Sequence, residues 1–301
     1  MLKRYLTKPK ILILTLILVS VSATASAIET DAVDFIAIQQ QAGFATAAYQ
    51  SENQIRDFVE SGNYTLTLYK TIPDIHISYF LATDRQTRTQ VISVRGTANI
   101  ENAMVDILLK LRPDKITGIQ LHEGFSHAAG KVYEDLKPLL ETDYTIRTTG
   151  HSLGGAVALI LAMYLDVDHF NVERVTTFGQ PKVTNVGGAS KFGHINIIRV
   201  VTPFDLVPLM PPLDPLDIYN VDVYWHAGKE VVLLNGNQYA ILEGLDSMLR
   251  ATRFTQQPLD QANMEQHQMS AYLGMIGAKT KSSRLVPYQT DLNLFNLFGS
   301  G

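Results

Sequence analysis

The sequence predicts an α/β chain with a mostly parallel central sheet flanked by helices, and three observations predict it. Short β-rich runs alternate with helical patterns through the middle of the chain. That order lays strands side by side with helices over the sheet faces. One run, residues 195–201, is short and largely apolar, as in a sheet covered on both sides. A third run, Thr145-Ile146-Arg147-Thr148-Thr149, meets Gly150-His151-Ser152-Leu153-Gly154 and then a stretch of good helix formers, residues 155–163.

In chain order, Met1-Leu2-Lys3-Arg4, Lys8 and Lys10 precede an apolar run, residues 11–21, and then Ser22-Ala23-Thr24-Ala25-Ser26-Ala27. A basic start, a short apolar core and a small-residue end read as a secretory signal peptide over residues 1–27. The apolar core is shorter than the roughly 20 residues of a spanning helix, so an uncleaved membrane anchor is the alternative reading. Residues 31–50 read as a helix, residues 64–69 and 75–82 as strands joined by the turn Thr71-Ile72-Pro73-Asp74, and residues 87–95 as a third strand. These early strands form an expected antiparallel edge. Residues 97–111 are helical in pattern. Gln120-Leu121-His122 leads into a helix over 124–140, and residues 172–178 supply a further strand. Residues 221–234 read as a strand or hairpin, and 239–250 and 266–276 as helices. The body, residues 28–276, suits one domain, followed by a tail over 277–301.

The strand, G-x-S-x-G and helix together describe a nucleophile elbow. A serine on so sharp a turn needs small flanking residues, which Gly150 and Gly154 supply. It stands at a helix start, where free N–H groups and the helix dipole favour a developing oxyanion. His151 borders it and is expected to help hold the turn.

Composition narrows the chemistry. The chain of 301 residues has no cysteine and a net charge of -4. Disulfides, thiolate catalysis and cysteine metal sites are thereby excluded. No basic block occurs beyond the N-terminal stretch, which argues against nucleic acid as a partner.

A serine hydroxyl needs a histidine to take its proton and a carboxylate to orient that histidine. Asp205, in Thr202-Pro203-Phe204-Asp205-Leu206-Val207-Pro208, sits just past the strand ending at Val201, where sheets of this kind place their sites. Asp214, Asp217 and Asp222 are the alternatives, in a looser, proline-rich stretch. Two histidines follow Asp205. His267 comes after the last expected strand, at an expected helix start, and is favoured as the base. His226, beside Trp225, reads as a packed, hydrogen-bonded histidine.

Arg95-Gly96-Thr97, His122-Glu123-Gly124-Phe125, the elbow, Phe178-Gly179-Gln180-Pro181-Lys182-Val183, the segment 199–212 and His226-Ala227-Gly228-Lys229-Glu230-Val231 together resemble the class 3 (fungal-type) lipases. The resemblance runs from about residue 40 to 276 in the family's order. It implies an α/β-hydrolase fold with a helical lid and hydrolysis of carboxylic esters, typically acylglycerols or phospholipids, without metal or organic cofactor. It matches Ser152 to the nucleophile, Asp205 to the acid and His267 to the base. Thr97 and Leu153 match the oxyanion-hole donors. The segment 99–111 matches the lid, with Ile100, Ala103, Met104, Ile107 and Leu108 on one helical face and Asp106 as a carboxylate that can meet the Thr97 hydroxyl. Ordinary core packing gives the same stripe. Lys182 and Thr184 stand where the family often has Arg and Gly, and Ala103 replaces a common lid tryptophan.

The sequence therefore predicts an exported serine ester hydrolase, secreted or periplasmic, meeting lipid at a lipid–water interface. Two rival readings remain: an esterase for short acyl or aromatic-acid esters on the same fold, and a non-catalytic protein that binds lipid surfaces.

Overall fold

The computed structural model describes residues 33–97, 110–211, 223–251 and 261–288. A sheet of nine strands organises them. Three early strands, β1 (Thr65–Ile72), β2 (Ile77–Asp84) and β3 (Thr89–Val94), pair antiparallel, as expected. The sheet then continues in parallel through β6 (Thr145–His151), β7 (Asn171–Phe178), β9 (Ile197–Val201) and β11 (Lys229–Leu233). It closes with β12 (Gln238–Leu242), antiparallel to β11, and the two-residue β13 (Arg284–Leu285). A second, four-stranded sheet holds β4 (Leu111–Pro113), β5 (Gln120–His122), β8 (Thr184–Asn185) and β10 (Tyr224–Trp225).

Both faces of the large sheet are covered, and strand β2 shows how. Successive side chains alternate between faces. Tyr79 and Leu81 pack with α3 (Glu123–Leu136) and α4 (Leu153–Val167), while Phe80 and Ala82 pack with α1 (Phe35–Ala47) and α2 (Glu52–Ser61). All eight residues of β2 are buried. Helix α4 is sheathed on every side, with Gly154 through Leu165 buried, which matches its apolar sequence.

Several expectations change. Helix α2 is an addition whose start is marked by Ser51, with Gln54 Oε1 accepting from the Ser51 N–H (3.2 Å) and hydroxyl (2.8 Å). The helix expected over 239–250 is half strand. Residues 238–242 form β12, because Asn235-Gly236-Asn237 turns β11 back on itself with Gly236 at φ 60°; the helix, α6 (Gly244–Ala251), starts only afterwards. The strand or hairpin expected over 221–234 holds two strands, β10 and β11, in different sheets. The helix expected over 97–111 ends differently too, since Leu111 opens β4. The helix expected over 266–276 is two, α7 (Gln261–His267) and α8 (Met269–Gly277), and this break matters for the site. A short helix, α5 (Val186–Lys191), follows β8.

Candidate active site

Strand β6 ends at His151 and α4 begins at Leu153, so Ser152 is the whole turn between them. Its backbone lies at φ 57° and ψ −132°. A residue with a Cβ enters this region at a cost of about 1–3 kcal/mol. Neighbouring groups fix it there: the Ser152 N–H donates to the Phe178 carbonyl (2.8 Å), and its own carbonyl accepts from the Gly155 (2.9 Å) and Ala156 (3.3 Å) N–H groups. A Cβ at Gly150 would run into the Gly154 carbonyl, and one at Gly154 into the Val94 carbonyl. The sequence argument for small residues on both flanks therefore has a definite steric origin. The Leu153 N–H, first in the helix, has no acceptor within it and lies at the positive end of the dipole.

Asp205 occupies the loop after β9 and is fully buried. Three donors converge on its carboxylate. Oδ1 accepts the Val207 N–H at 2.9 Å. Oδ2 accepts His267 Nδ1–H at 2.8 Å and the Tyr272 hydroxyl. Burial and then the Asp205 charge push the Tyr272 phenol well above its ordinary range, so it serves as a donor. With its Nδ1 proton on Asp205, a neutral His267 carries its lone pair on Nε2. That Nε2 is buried and has no hydrogen-bond partner among the described residues.

Gly179 brings this pair to the elbow. It follows Phe178, whose carbonyl takes the Ser152 N–H, and has φ 59°. A Cβ there would lie 2.8 Å from both Asp205 Oδ2 and His267 Cε1. Only glycine lets the end of β7 pass between the elbow and the Asp205–His267 pair. Ser152, Asp205 and His267 thus gather at the carboxyl ends of β6, β7 and β9, as a doubly covered sheet predicts.

His267 is the last residue of α7, not the first of a helix as expected. Gln268 is extended, at φ -70° and ψ 143°. The interruption frees two carbonyls, and both are taken by side chains. Gln266 O accepts the Thr202 hydroxyl at 3.1 Å, and His267 O accepts His151 Nε2–H at 2.6 Å. The other nitrogen of His151, Nδ1, accepts the Tyr49 hydroxyl at 2.7 Å. Burial, and next the neighbouring His267, hold His151 well below the usual imidazole range. His151 therefore stays neutral and reaches beyond the elbow to the backbone of His267.

The loop Arg95-Gly96-Thr97 leaves β3 beside the elbow. A Cβ on Gly96 would touch the His151 carbonyl and come within 3.1 Å of Ser152 Cβ. Thr97, half-buried, is the next residue. The lid residues Ile100, Ala103, Met104, Asp106, Ile107 and Leu108 lie outside the described residues, as do Asp214, Asp217, Asp222, the signal-peptide segment and most of the tail. His226 is buried away from Ser152, its Nε2–H on the Pro208 carbonyl at 2.7 Å. Tyr49 and Tyr272 escaped the sequence reading. Tyr272 had a usable signal, a tyrosine one helical turn past the favoured base; Tyr49, 102 residues before His151, had none.

The family model for Lipase (class 3) matches residues 91–214. Over that segment the chain is similar to the class 3 lipases. It is 33% identical over 146 residues to the secreted mono- and diacylglycerol lipase 1 of Fusarium solani, a match covering 46% of this chain and 44% of that protein. It is 30% identical over 172 residues to a lipase of Rhizopus niveus, covering 53% of this chain and 43% of that one. The chain thus spans less than half the length of these curated relatives. Among solved structures, a lipase of Rhizopus microsporus var. chinensis superposes with a TM-score of 0.57 at 26% identity, covering 67% of this chain and 75% of that one. The mono- and diacylglycerol lipase of Aspergillus oryzae superposes with a TM-score of 0.64, covering 78% and 95%, at 22% identity. The chain has the α/β-hydrolase fold.

Proposed function

We propose that this chain is a class 3 lipase, a serine carboxylic ester hydrolase acting on acylglycerols. The observation that carries the reading is the buried Asp205–His267 pair, with His267 Nε2 unpartnered, beside a serine held in a strained strand-to-helix turn. Ser152 Oγ attacks the ester carbonyl as His267 Nε2 takes its proton. Asp205 keeps the proton on Nδ1 and stabilises the imidazolium that forms. The backbone N–H groups of Leu153 and Thr97 hold the oxyanion. His267 then returns the proton to the leaving alcohol. In the second half, His267 takes a proton from water, the hydroxide adds to the acyl carbon, and Ser152 leaves with its proton restored.

The names of the relatives, a mono- and diacylglycerol lipase and other lipases, support glycerol esters over phospholipids as first substrates. The secreted Fusarium relative also supports export through residues 1–27; mass spectrometry of the protein released by its host is expected to show a start at Ile28.

The test is hydrolysis of acyl esters of rising chain length, each below and above its aggregation concentration, with Ser152→Ala as the blank. Long-chain preference with a rate jump on aggregates supports a lipase with a working lid. Short-chain activity without the jump supports an esterase. Activity equal to the Ser152→Ala blank on every ester overturns the reading, and retained liposome binding would then favour the non-catalytic alternative.

A further inference from the structure

The interruption at Gln268 leaves the carbonyl of the base residue itself without a helical donor. The donor that fills the place comes from the elbow. His151 Nε2–H reaches His267 O at 2.6 Å, and the two rings lie 4.5 Å apart between centroids. Because a carbonyl can only accept, Nε2 must carry the proton, and Nδ1 must be the acceptor. Tyr49, just past the end of α1, supplies the hydroxyl proton to that Nδ1 at 2.7 Å. The Tyr49 oxygen in turn lies against Gly96, which is packed so closely that a Cβ on it would touch the Tyr49 oxygen and the His151 carbonyl. Burial pushes the Tyr49 phenol above its ordinary range, so it remains a donor.

We propose that Tyr49 and His151 are positioning residues that tie the loop Arg95-Gly96-Thr97 to the backbone of His267, through the packing of the Tyr49 oxygen on Gly96 and two hydrogen bonds, Tyr49 to His151 and His151 to His267 O. The inference rests on the ester-hydrolase reading and deepens it. An oxyanion donor and a general base are useful only when their mutual distance is fixed, since both must meet one tetrahedral centre. Here the two come from distant segments, one after β3 and one after α7. Tyr49 and His151 span them. The His267 carbonyl sets the His151 tautomer, and the Tyr49 hydroxyl, donating to Nδ1, holds the ring in the orientation that reaches that carbonyl.

Two features set this link apart from ordinary packing. Tyr49→Phe removes one oxygen and leaves the ring contact, at 5.8 Å between centroids, in place. His151→Gln keeps an N–H for His267 O and an oxygen for the Tyr49 hydroxyl, while His151→Ala keeps neither.

The experiment measures kcat and KM on a soluble ester, inhibition by a boronic acid that adds to the Ser152 oxygen, and the histidine nitrogen NMR shifts of Tyr49→Phe, His151→Gln, His151→Ala and the Tyr49→Phe/His151→Ala pair. The boron gains one bond to Ser152 oxygen and becomes a tetrahedral anion, while the serine proton passes to His267. Tyr49→Phe is expected to lower kcat about tenfold with KM within about twofold, and to weaken boronate inhibition by a similar factor. His151→Gln is expected to recover most of the activity that His151→Ala loses, and the double variant to lose little more than His151→Ala alone. The NMR signature of wild type is an Nε2–H His151 with a hydrogen-bonded Nδ1; Tyr49→Phe is expected to keep the tautomer and shift the Nδ1 signal toward that of a free acceptor. Wild-type kcat in Tyr49→Phe, additive losses in the double variant, or an unchanged His151 Nδ1 signal would overturn the link. Wild type as inactive as Ser152→Ala would instead overturn the hydrolase reading, and the Nδ1 signal still decides whether the link exists.

Discussion

His267 and His226 are both buried, each with one ring nitrogen engaged and the other without a partner among the described residues, yet their surroundings differ in sign. His267 gives its Nδ1 proton to a carboxylate that two further donors hold in place. His226 gives its Nε2 proton to the uncharged Pro208 carbonyl. Around it stand cations: Arg199, whose Nε donates to the Ala227 carbonyl at 3.0 Å, and, through the same cluster, Lys182 and Arg250. Burial first, and those cations next, hold His226 well below the usual imidazole range. A base must become an imidazolium during turnover, and only His267 has an anion placed to stabilise one. Burial with a free nitrogen is therefore not a sufficient mark of a base; the charge behind the other nitrogen decides.

The largest expected effect breaks this comparison if it fails. His267→Ala is expected to lower kcat for ester hydrolysis roughly 10⁴-fold or more. His226→Ala is expected to keep kcat per folded molecule within about threefold, while costing about 1–3 kcal/mol of stability through the orphaned Pro208 carbonyl. Steady-state rates corrected by active-site titration, with melting curves beside them, read both numbers. Equal losses in the two variants would erase the distinction.

Asp205→Asn sharpens it. An amide at this position removes the anion and lets His267 settle in the wrong tautomer, so a fall in kcat on the order of 10³–10⁴-fold is expected with little change in melting temperature. Loss of only a few-fold would mean that the charge behind Nδ1 is not what distinguishes His267.

The three residues proposed for the chemistry stood out in the sequence because each left a local mark. Ser152 has glycines on both sides for steric reasons. Asp205 follows directly on a β-rich run, and His267 comes late in a chain whose order restricts the choice. Among the supports, His151 borders the serine and Tyr272 follows His267 closely, while Tyr49 left no such mark. Tyr49, His151 and Tyr272 act across long separations, and nothing beside Tyr49 in the sequence points to His151. The break at Gln268 carries neither glycine nor proline, so the apolar spacing of 266–276 read as one helix. Tyr239-Ala240-Ile241-Leu242 is a continuous apolar run, which periodicity cannot assign; the Asn235-Gly236 turn before it was the better guide to a hairpin.

A smaller effect probes the cation-rich side. Glu230 accepts from Arg199, Arg250 and Ser247. Burial alone would raise its carboxyl, but Arg250 and Arg199 outweigh it and hold the group below its ordinary value. Lys182 donates to the Leu209 and Pro211 carbonyls, and burial lowers its ammonium to about 7 from 10.5. The folded chain thus binds fewer protons here than the unfolded chain between about pH 7 and 10.5, so this group's contribution to stability rises with pH across that window. The stability of wild type relative to Lys182→Met is expected to grow from pH 7 to pH 10 in denaturant titrations. A difference that is flat or falls with pH would show that Lys182 is not held in this depressed state.

The most direct test of the central claim is covalent capture of the nucleophile with a fluorophosphonate. Its phosphorus bonds to the serine oxygen, fluoride leaves, and the serine proton passes to His267. Peptide mass spectrometry is expected to find one adduct per chain, on Ser152, forming about a hundredfold or more slowly in His267→Ala and at the wild-type rate per folded molecule in His226→Ala. An adduct elsewhere, no adduct in wild type, or labelling of Ser152 that is indifferent to His267 would contradict the account.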